Sequence, residues 1–373
     1  MSDKNTQNEN RRNKTAQINT SPSKANQRWC LAVLGLSFLL LFGLGMVTVV
    51  IDPYFHYHKP LESLQYPLHD ERYQNDGIAK HFDYDAMITG SSLTQNFKTS
   101  ELDELFGVHS VKTSFSGGSY KEVNDHLTRA VQANPNLKLV VRGLDYGRLL
   151  GNKDGMYYTA DKYPVYLYND LLYDDVSYVL NKTVLIDHSL NAVFYTLEGN
   201  TTTNFDEYSS WRQGHEYVDQ TYARPDKAEE TPLSPEDFVK IEENIRQNVT
   251  DLAEANPDID FYLYLSPNSI YYWDSLKQNG ILERQLEVEK YAVSLMLPYE
   301  NIHLFSFFEE YEMICNPKNY KDSVHYSKDI NSQILVWMKN GTHELTADNY
   351  DAYWERIYDF YTSYDYDALF ADR

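Results

Sequence analysis

The strongest constraint on this chain is an apolar run, residues 29–51, that contains no charged side chain. At about 1.5 Å per helical residue, the run is long enough to cross the roughly 30 Å hydrocarbon layer of a membrane. The apolar region of a cleaved signal peptide is usually only about 7–15 residues long and precedes a small-residue cleavage site, and no such site follows Ile51. The run therefore predicts an uncleaved transmembrane helix over 29–51, with a signal peptide as the alternative.

The segments on either side of this run predict its orientation. Residues 1–28 are polar and too poor in apolar side chains to fold, so we expect a disordered tail. Its basic residues outnumber its acidic ones, Asp3 and Glu9, and the positive-inside rule therefore places it in the cytoplasm. Residues 52–373 then form an extracytoplasmic domain held at the cell membrane by a single pass, an architecture typical of the bacterial envelope. The basic residues of the tail are Lys4, Arg11, Arg12, Lys14, Lys24 and Arg28.

Charge and cysteine content exclude several classes of function. The chain carries a net charge of −22, which repels polyanions, so nucleic acid is not an expected partner. An anionic polymer would need a local basic patch or bridging cations. Cys30 lies in the apolar run and Cys315 lies far along the domain, so no disulfide is expected between them. His56, His58 and His69 are candidate zinc ligands, but no cysteine pairs or H-E-x-x-H spacing accompany them. We therefore predict neither a metal nor a cofactor.

Short apolar runs that alternate with helical patterns predict the fold. Continuous apolarity indicates strands that are buried on both faces, and alternation with helices indicates a parallel sheet. We therefore predict an α/β fold, a three-layer α/β/α sandwich of the flavodoxin-like type with a mainly parallel sheet. The predicted strands are 85–89, 109–115, 137–142, 259–265 and 301–307, and the predicted helices are 120–134, 235–255 and 282–297.

Two segments fit this alternation less simply. Residues 151–231 are rich in Tyr, Asn and Asp, and we interpret them as an insertion or lid over the carboxyl ends of the strands. Aromatic residues at helical spacing near the end of the chain predict an amphipathic helix packed on the body, with a carbohydrate-stacking surface as the alternative. They are Tyr350, Tyr353, Trp354, Ile357, Tyr358 and Tyr361.

Three short blocks carry the expected chemistry. Gly90-Ser91-Ser92 follows the first strand, Gly117-Gly118 follows the second, and Asp322 precedes His325 by three residues after the last strand. A serine hydroxyl becomes a nucleophile when an imidazole takes its proton and a carboxylate orients that imidazole. Because ligands bind at the carboxyl ends of parallel strands, we expect these blocks to converge there.

In order and context, these blocks resemble those of the SGNH or GDSL hydrolase superfamily over residues 84–148 and 257–335. The resemblance implies that Ser92 is the nucleophile, His325 the base and Asp322 its orienting acid. It also implies an oxyanion donor at Gly117 or, less clearly, Gly118. Ser91 remains an alternative nucleophile.

The chain departs from the superfamily pattern at two positions. Ser91 stands where the superfamily has Asp, and Asp145 stands where its third block has Asn, which removes a side-chain oxyanion donor. We therefore expect the oxyanion to be held by the backbone N–H groups of Ser92 and Gly117, with Asn96 as a further donor.

The Gly-Ser-Ser block and the single amino-terminal anchor also resemble the envelope proteins that assist D-alanylation of teichoic acids and other proteins that modify envelope polysaccharides with acyl groups. This resemblance implies a membrane-tethered serine esterase or O-acyltransferase acting on an acylated envelope polysaccharide or related polymer, with a membrane O-acyltransferase as a further candidate partner. The alternative is a catalytically inactive SGNH-like domain that binds such a polymer or such a partner. Hydrolysis and transfer are both open at this point.

Overall fold

The computed structural model describes residues 24–159, 162–214 and 216–371. Helix α1 spans Lys24–Ile51 and is long and apolar enough to cross a membrane. It begins before residue 29, so residues 24–28 of the predicted tail are helical, because extending an existing helix costs far less than starting one. Residues 1–23 of that tail lie outside the described residues.

Within the described residues, a six-stranded sheet forms the centre of the domain, with the strand order β2-β1-β3-β4-β5-β6. The first five strands are parallel, and β6 pairs antiparallel with β5. Every residue of β1, β2 and β3 is buried, as expected for a sheet covered on both faces. The strands are β1 Ala86–Gly90, β2 Ser110–Ser114, β3 Leu139–Leu144, β4 Asp260–Leu265, β5 Ile302–Ser306 and β6 Glu344–Leu345.

Helices cover both faces of the sheet. After α1 they are α2 Glu71–His81, α3 Thr99–Phe106, α4 Tyr120–Ala133, α5 Val176–Val179, α6 Asn191–Leu197, α7 Val218–Thr221, α8 Pro235–Ile245, α9 Asp251–Ala255, α10 Ile270–Gln278, α11 Leu282–Met296, α12 Tyr311–Ile314, α13 Lys328–Asn340 and α14 Tyr350–Ser363. A π-helical segment, Val184–Leu190, leads into α6, and another, Arg246–Thr250, joins α8 to α9.

The predicted α/β fold with a mainly parallel sheet is confirmed, and each of the five predicted strands overlaps an observed one. Helix α2 was missed because its buried face is polar. Asn75 donates from its side-chain amide to the carbonyl of Ser114 and accepts from the Tyr208 hydroxyl, and Asp76 pairs with Arg129. Strand β6 was missed because it has only two residues.

A buried carboxylate fixes the end of α1 to the domain. Asp52 is fully buried, and its oxygens accept hydrogen bonds from the backbone N–H groups of His56, Tyr57 and His58. The Tyr178 hydroxyl, on α5, donates to the same carboxylate at 2.6 Å. The chain that leaves α1 is therefore held in one conformation against α5 rather than acting as a flexible linker.

We predict that Glu289 on α11 makes the stability of the domain fall with rising pH. Burial raises the pKa of Glu289 to about 8 in the folded state, against 4.5 for an ordinary carboxyl, and the Tyr146 hydroxyl donates to its Oε2. Between these two values the folded state binds the proton and the unfolded state does not, so each rise in pH favours unfolding. Glu289→Gln should remove this slope and raise the free energy of unfolding at mildly alkaline pH by roughly 1–3 kcal/mol.

The measurement is urea unfolding of the full chain in detergent at mildly acidic and at mildly alkaline pH, with circular dichroism as the signal. Glu287→Gln, an exposed carboxyl on the same helix, is the matched control and should leave the slope unchanged. Equal pH slopes for Glu289→Gln and the parent chain would contradict the prediction.

Candidate active site

Ser92 lies in a tight turn at the carboxyl end of β1. The strand ends at Gly90, whose φ of 147° is accessible to glycine, and Ser92 begins a single 3₁₀ turn, Ser92–Thr94. A Cβ on Gly90 would lie 2.7 Å from Cγ2 of Thr94 and 3.2 Å from the backbone nitrogen of Gly143 on β3. The glycine therefore lets β1, β3 and the turn approach closely enough to hold Ser92 at the rim of the sheet.

The structure brings Ser92, His325 and Asp322 into contact. Oγ of Ser92 lies 2.8 Å from Nε2 of His325, and Nδ1 of the same ring lies 2.8 Å from Oδ2 of Asp322. With Nδ1 donating to the carboxylate, Nε2 is free to accept the serine proton. The three side chains predicted from blocks far apart in the chain thus form one hydrogen-bonded series.

Asp322 is held as an anion by the loop that carries it. Its Oδ1 accepts hydrogen bonds from the backbone N–H groups of Val324 and His325 at 3.0 and 2.9 Å. Although burial alone would raise its pKa, the hydrogen bonds from His325 and Val324 together lower the pKa of Asp322 below its ordinary value. A charged carboxylate is therefore available to orient the imidazole and to stabilise its protonated form.

The two departures from the superfamily pattern contact each other. The Ser91 hydroxyl donates to Oδ1 of Asp145 at 2.6 Å, and Arg148 lies 3.3 Å from Oδ2. Burial raises the pKa of Asp145, and the contacts with Ser91 and Arg148 oppose that shift. Because the Ser91 hydroxyl is committed to Asp145 while that of Ser92 faces His325, the geometry favours Ser92 over Ser91 as the nucleophile.

The glycine pair after β2 provides one candidate oxyanion donor. The N–H of Gly118 donates to the carbonyl of Phe115 at 2.7 Å and is therefore already used within the turn. Gly117 has a φ of 66°, and a Cβ there would lie 2.8 Å from the ring of Tyr157. Its carbonyl accepts from Arg148 at 3.0 Å, which helps to hold the turn. Gly117 therefore remains the better of the two candidates, and its role as an oxyanion donor stays a prediction.

Trp211 was missed by the sequence analysis and lies directly against the histidine. Its ring meets that of His325 edge to face, with the centroids 5.7 Å apart. Its backbone N–H donates to Oδ1 of Asn96 at 2.9 Å, and Nζ of Lys321 lies 5.3 Å from the ring centroid. Asn96 thus positions Trp211 through its carbonyl oxygen, and its predicted role as an oxyanion donor stays a prediction.

The predicted insertion, residues 151–231, contributes to the site through its two ends. Tyr157 lies over Gly117, and Trp211 packs against His325. Its middle part, which includes α5, packs instead against α1. The lid role predicted for this insertion stays a prediction, and it now concerns the segments around Tyr157 and Trp211.

The histidines near the end of α1 have protein partners. His56 pairs with Asp175, and both ring nitrogens of His58 lie within hydrogen-bonding distance of backbone carbonyls. Among the described residues, ligand atoms of His69, Asp70 and His188 lie within 4.8 Å of one another. Nε2 of His69 and Nε2 of His188 each lie 3.6 Å from Oδ2 of Asp70. The predicted absence of a metal stays a prediction.

Comparisons with known proteins leave the family open. No family model matches the chain, and no curated protein matches it. One similar solved structure, provisionally assigned as a platelet activating factor from Streptococcus pneumonia, is 10% identical, with 72% of this chain and 89% of that chain covered and a TM-score of 0.35. Another, an acetyl xylan esterase from the rumen bacterium Butyrivibrio proteoclasticus, is 9% identical, with 69% and 63% covered and a TM-score of 0.30. At these scores neither likeness bears on function, so the functional inference rests on the side-chain geometry.

We predict that the Ser91 hydroxyl stabilises the fold through Asp145. Ser91→Ala removes the 2.6 Å hydrogen bond to the half-buried carboxylate of Asp145, so the free energy of unfolding should fall by about 1–3 kcal/mol. The measurement is urea unfolding of the full chain in detergent. Ser116→Ala, an exposed serine in the loop after β2, is the control and should change stability little. Equal stability of the two variants would show that the Ser91 contact contributes nothing.

Proposed function

We propose that this chain is a membrane-tethered serine esterase or O-acyltransferase that acts on acyl esters of a cell-envelope glycan or related polymer. The observation that carries the proposal is the hydrogen-bonded series from Ser92 through His325 to Asp322. This arrangement has the residue types and contacts that nucleophilic acyl chemistry requires.

The proposed reaction proceeds through an acyl-enzyme. His325 takes the proton of Ser92 as Oγ attacks the acyl carbonyl carbon, and the carbonyl electron pair moves onto oxygen to give an oxyanion. When the oxyanion collapses, the ester C–O bond breaks and the leaving alkoxide takes the proton from His325. Water or a sugar hydroxyl then gives its proton to His325 and attacks the acyl carbon, which forms a second oxyanion. When this oxyanion collapses, the bond between the acyl carbon and Oγ of Ser92 breaks, and His325 returns the proton to Oγ. Asp322 keeps the imidazole in the correct tautomer and stabilises its charged form.

Oxyanion stabilisation distinguishes this proposal from its alternative. The proposed donors are the backbone N–H groups of Ser92 and Gly117, together with Asn96. An ionised Asp145 only accepts hydrogen bonds, so it does not replace the missing Asn. Loss of one such donor costs about 100- to 1,000-fold in rate. This deficit favours the second candidate, an inactive domain that binds an envelope polymer or a membrane O-acyltransferase partner.

The residues around Ser92 support a carbohydrate ester as substrate. Trp211 provides an aromatic wall beside His325, Tyr157 lies against the candidate oxyanion glycine Gly117, and aromatic faces are suited to packing against sugar rings. Both come from the insertion at 151–231, which supports its role in excluding water. Exclusion of water is what transfer to a sugar hydroxyl would require.

The tether itself is part of the proposal. Helix α1 is long and apolar enough to span a membrane or to act as a signal anchor. We propose that it spans the cell membrane with the amino terminus in the cytoplasm and the catalytic domain outside. The single pass would keep the site close to membrane-associated polymers and to a membrane O-acyltransferase.

We predict that a fluorophosphonate probe labels the full chain in detergent at Ser92. Labelling should persist in Ser91→Ala and disappear in Ser92→Ala, because only the Ser92 hydroxyl faces His325. No labelling of the parent chain would favour the inactive binding domain. Labelling that persists in Ser92→Ala and is lost in Ser91→Ala would reassign the nucleophile.

We predict that Asp322→Asn lowers kcat for a short acyl ester by about 10³- to 10⁴-fold, since the amide no longer fixes the imidazole tautomer. In the parent chain, kcat/KM should rise with pH, because general-base catalysis requires a neutral imidazole. The lowered pKa of Asp322 keeps its carboxylate charged throughout that rise. The measurement is initial rates in buffers from mildly acidic to mildly alkaline, and a flat profile would contradict a histidine base.

Hydrolysis and transfer are separated by product analysis. Short acyl esters and acylated glycans are supplied side by side with unmodified sugars, and the products are analysed by mass spectrometry. Acyl groups found on acceptor sugars indicate transfer, and free acid alone indicates hydrolysis. Ser92→Ala is the control for both.

A further inference from the structure

The segment between Val165 and Leu197 exposes an unusual number of large apolar side chains. Soluble proteins rarely expose contiguous apolar patches larger than a few hundred Å², and such patches mark interaction surfaces. We call this region the apolar surface and define it by six of its exposed side chains: Leu171 (49% exposed), Leu172 (81%), Val176 (56%), Leu180 (44%), Phe194 (60%) and Leu197 (77%).

The apolar surface is continuous with the apolar helix α1. Both α5 and the segment Val184–Leu190 pack against α1. Helix α1 and the end of α5 are in close contact at Gly45, where a Cβ would lie 2.8 Å from Cγ1 of Val179 and 3.4 Å from Cδ2 of Leu180. Since Gly45 precedes the end of α1 at Ile51 by six residues, α5 lies alongside the final 9 Å or so of the apolar helix. The apolar surface therefore extends beside α1 rather than only beyond its end.

A mainly apolar cavity lies between α1 and α5. Its volume is about 530 Å³, and its apolar lining includes Phe38 and Phe42 from α1 together with Leu172. Its polar lining is Tyr57 and Asp175, which are hydrogen-bonded to each other. The apolar side chains are ones that water solvates poorly and that hydrocarbon solvates well. The cavity thus has the lining expected of a space filled by a lipid acyl chain.

The helical segment 184–197 has three distinct faces. One packs on the body through Val184, Ser189 and Ala192, which are buried. A second is an exposed apolar stripe at helical spacing, and a third is polar. A helix with an apolar stripe beside a polar face is typical of segments that lie in the plane of a membrane surface. The stripe is Ile186, Leu190, Phe194 and Leu197, and the polar face is Asp187, Asn191 and Glu198.

We propose that the apolar surface is immersed in the membrane leaflet that adjoins the domain, alongside α1, with α5 in the hydrocarbon and the polar face of 184–197 at the headgroups. The inference rests on the proposed membrane span of α1. It assigns to the middle of the 151–231 segment a lipid partner rather than a place over the active site. The domain is thus attached to the membrane at two places, the spanning helix and the apolar surface.

The test uses the full chain in liposomes of phosphatidylcholine and phosphatidylglycerol, with and without lipids that carry a nitroxide on the acyl chain. In a Cys30→Ala, Cys315→Ala background, single cysteines replace exposed side chains and carry a polarity-sensitive fluorophore. Leu172→Cys and Phe194→Cys report on the apolar surface, Leu40→Cys reports on α1, and Val239→Cys on α8 is the aqueous control. All four parent side chains are exposed, and thermal unfolding checks that each variant folds.

We expect labels at Leu172 and Phe194 to emit at shorter wavelength and to lose most of their fluorescence in nitroxide lipid, as the label at Leu40 does. Iodide serves as the quencher in the aqueous phase, and the Val239 label should be quenched by iodide but not by nitroxide lipid. If Leu172 and Phe194 behave like Val239 while Leu40 is quenched by lipid, the inference is overturned and the membrane span stands. If Leu40 also behaves like Val239, the proposed span fails and the inference fails with it. Protection of Leu172 and Phe194 from both quenchers would indicate a protein partner and would equally overturn it.

Discussion

The arrangement of the site depends on how closely the backbone approaches itself at the carboxyl ends of β1 and β3. Gly90 and Gly143 face each other across these strands, and a Cβ on either glycine would lie within 3 Å of Cγ2 of Thr94. Thr94 fills the space that the two glycines leave, and its hydroxyl donates to the carbonyl of Ser91 at 2.8 Å. The direction in which the chain leaves β1 at Ser92 is therefore set by the packing of Thr94 against the two glycines. Any side chain larger than hydrogen at Gly90 or Gly143 would displace the turn, and with it the contact to His325.

A second constraint is the polar contact between Ser91 and Asp145. These are the two positions at which the chain differs from the superfamily pattern that it resembles. Ser91 lacks the negative charge that the pattern places at its position, and Asp145 supplies a carboxylate beside it. The two side chains form a short hydrogen bond, and Arg148 joins Asp145 to the carbonyl of Gly117. Compared with that pattern, the carboxylate comes from the segment after β3 rather than from the residue before Ser92. What the exchange does not restore is an amide donor for the oxyanion.

Much of this organisation could be predicted from the sequence, and each failure has a physical reason. The parallel strands were predictable because burial on both faces produces continuous apolar runs. Ser92 was predictable because it follows the end of a strand, and Asp322 and His325 because they form a short recognisable block. Trp211 and Arg148 were not, because their positions depend on packing between segments distant in the chain and no local pattern marks them. Helix α2 was missed because its buried side is satisfied by hydrogen bonds rather than by apolar contact. The apolar surface was not predicted, because the sequence of residues 151–231 shows neither which side chains are exposed nor that they lie beside α1.

The buried carboxylate of Asp52 has a consequence for how the domain is attached to α1. A hinged connection would let the domain change its orientation relative to that helix. Because Asp52 accepts from three successive backbone N–H groups and from Tyr178, the domain is instead a stiff extension of α1. If α1 spans the membrane as proposed, the distance from the lipid surface to Ser92 is a constant of the molecule. If the proposed function also holds, the site would reach only those polymer esters that lie at this distance from the membrane surface.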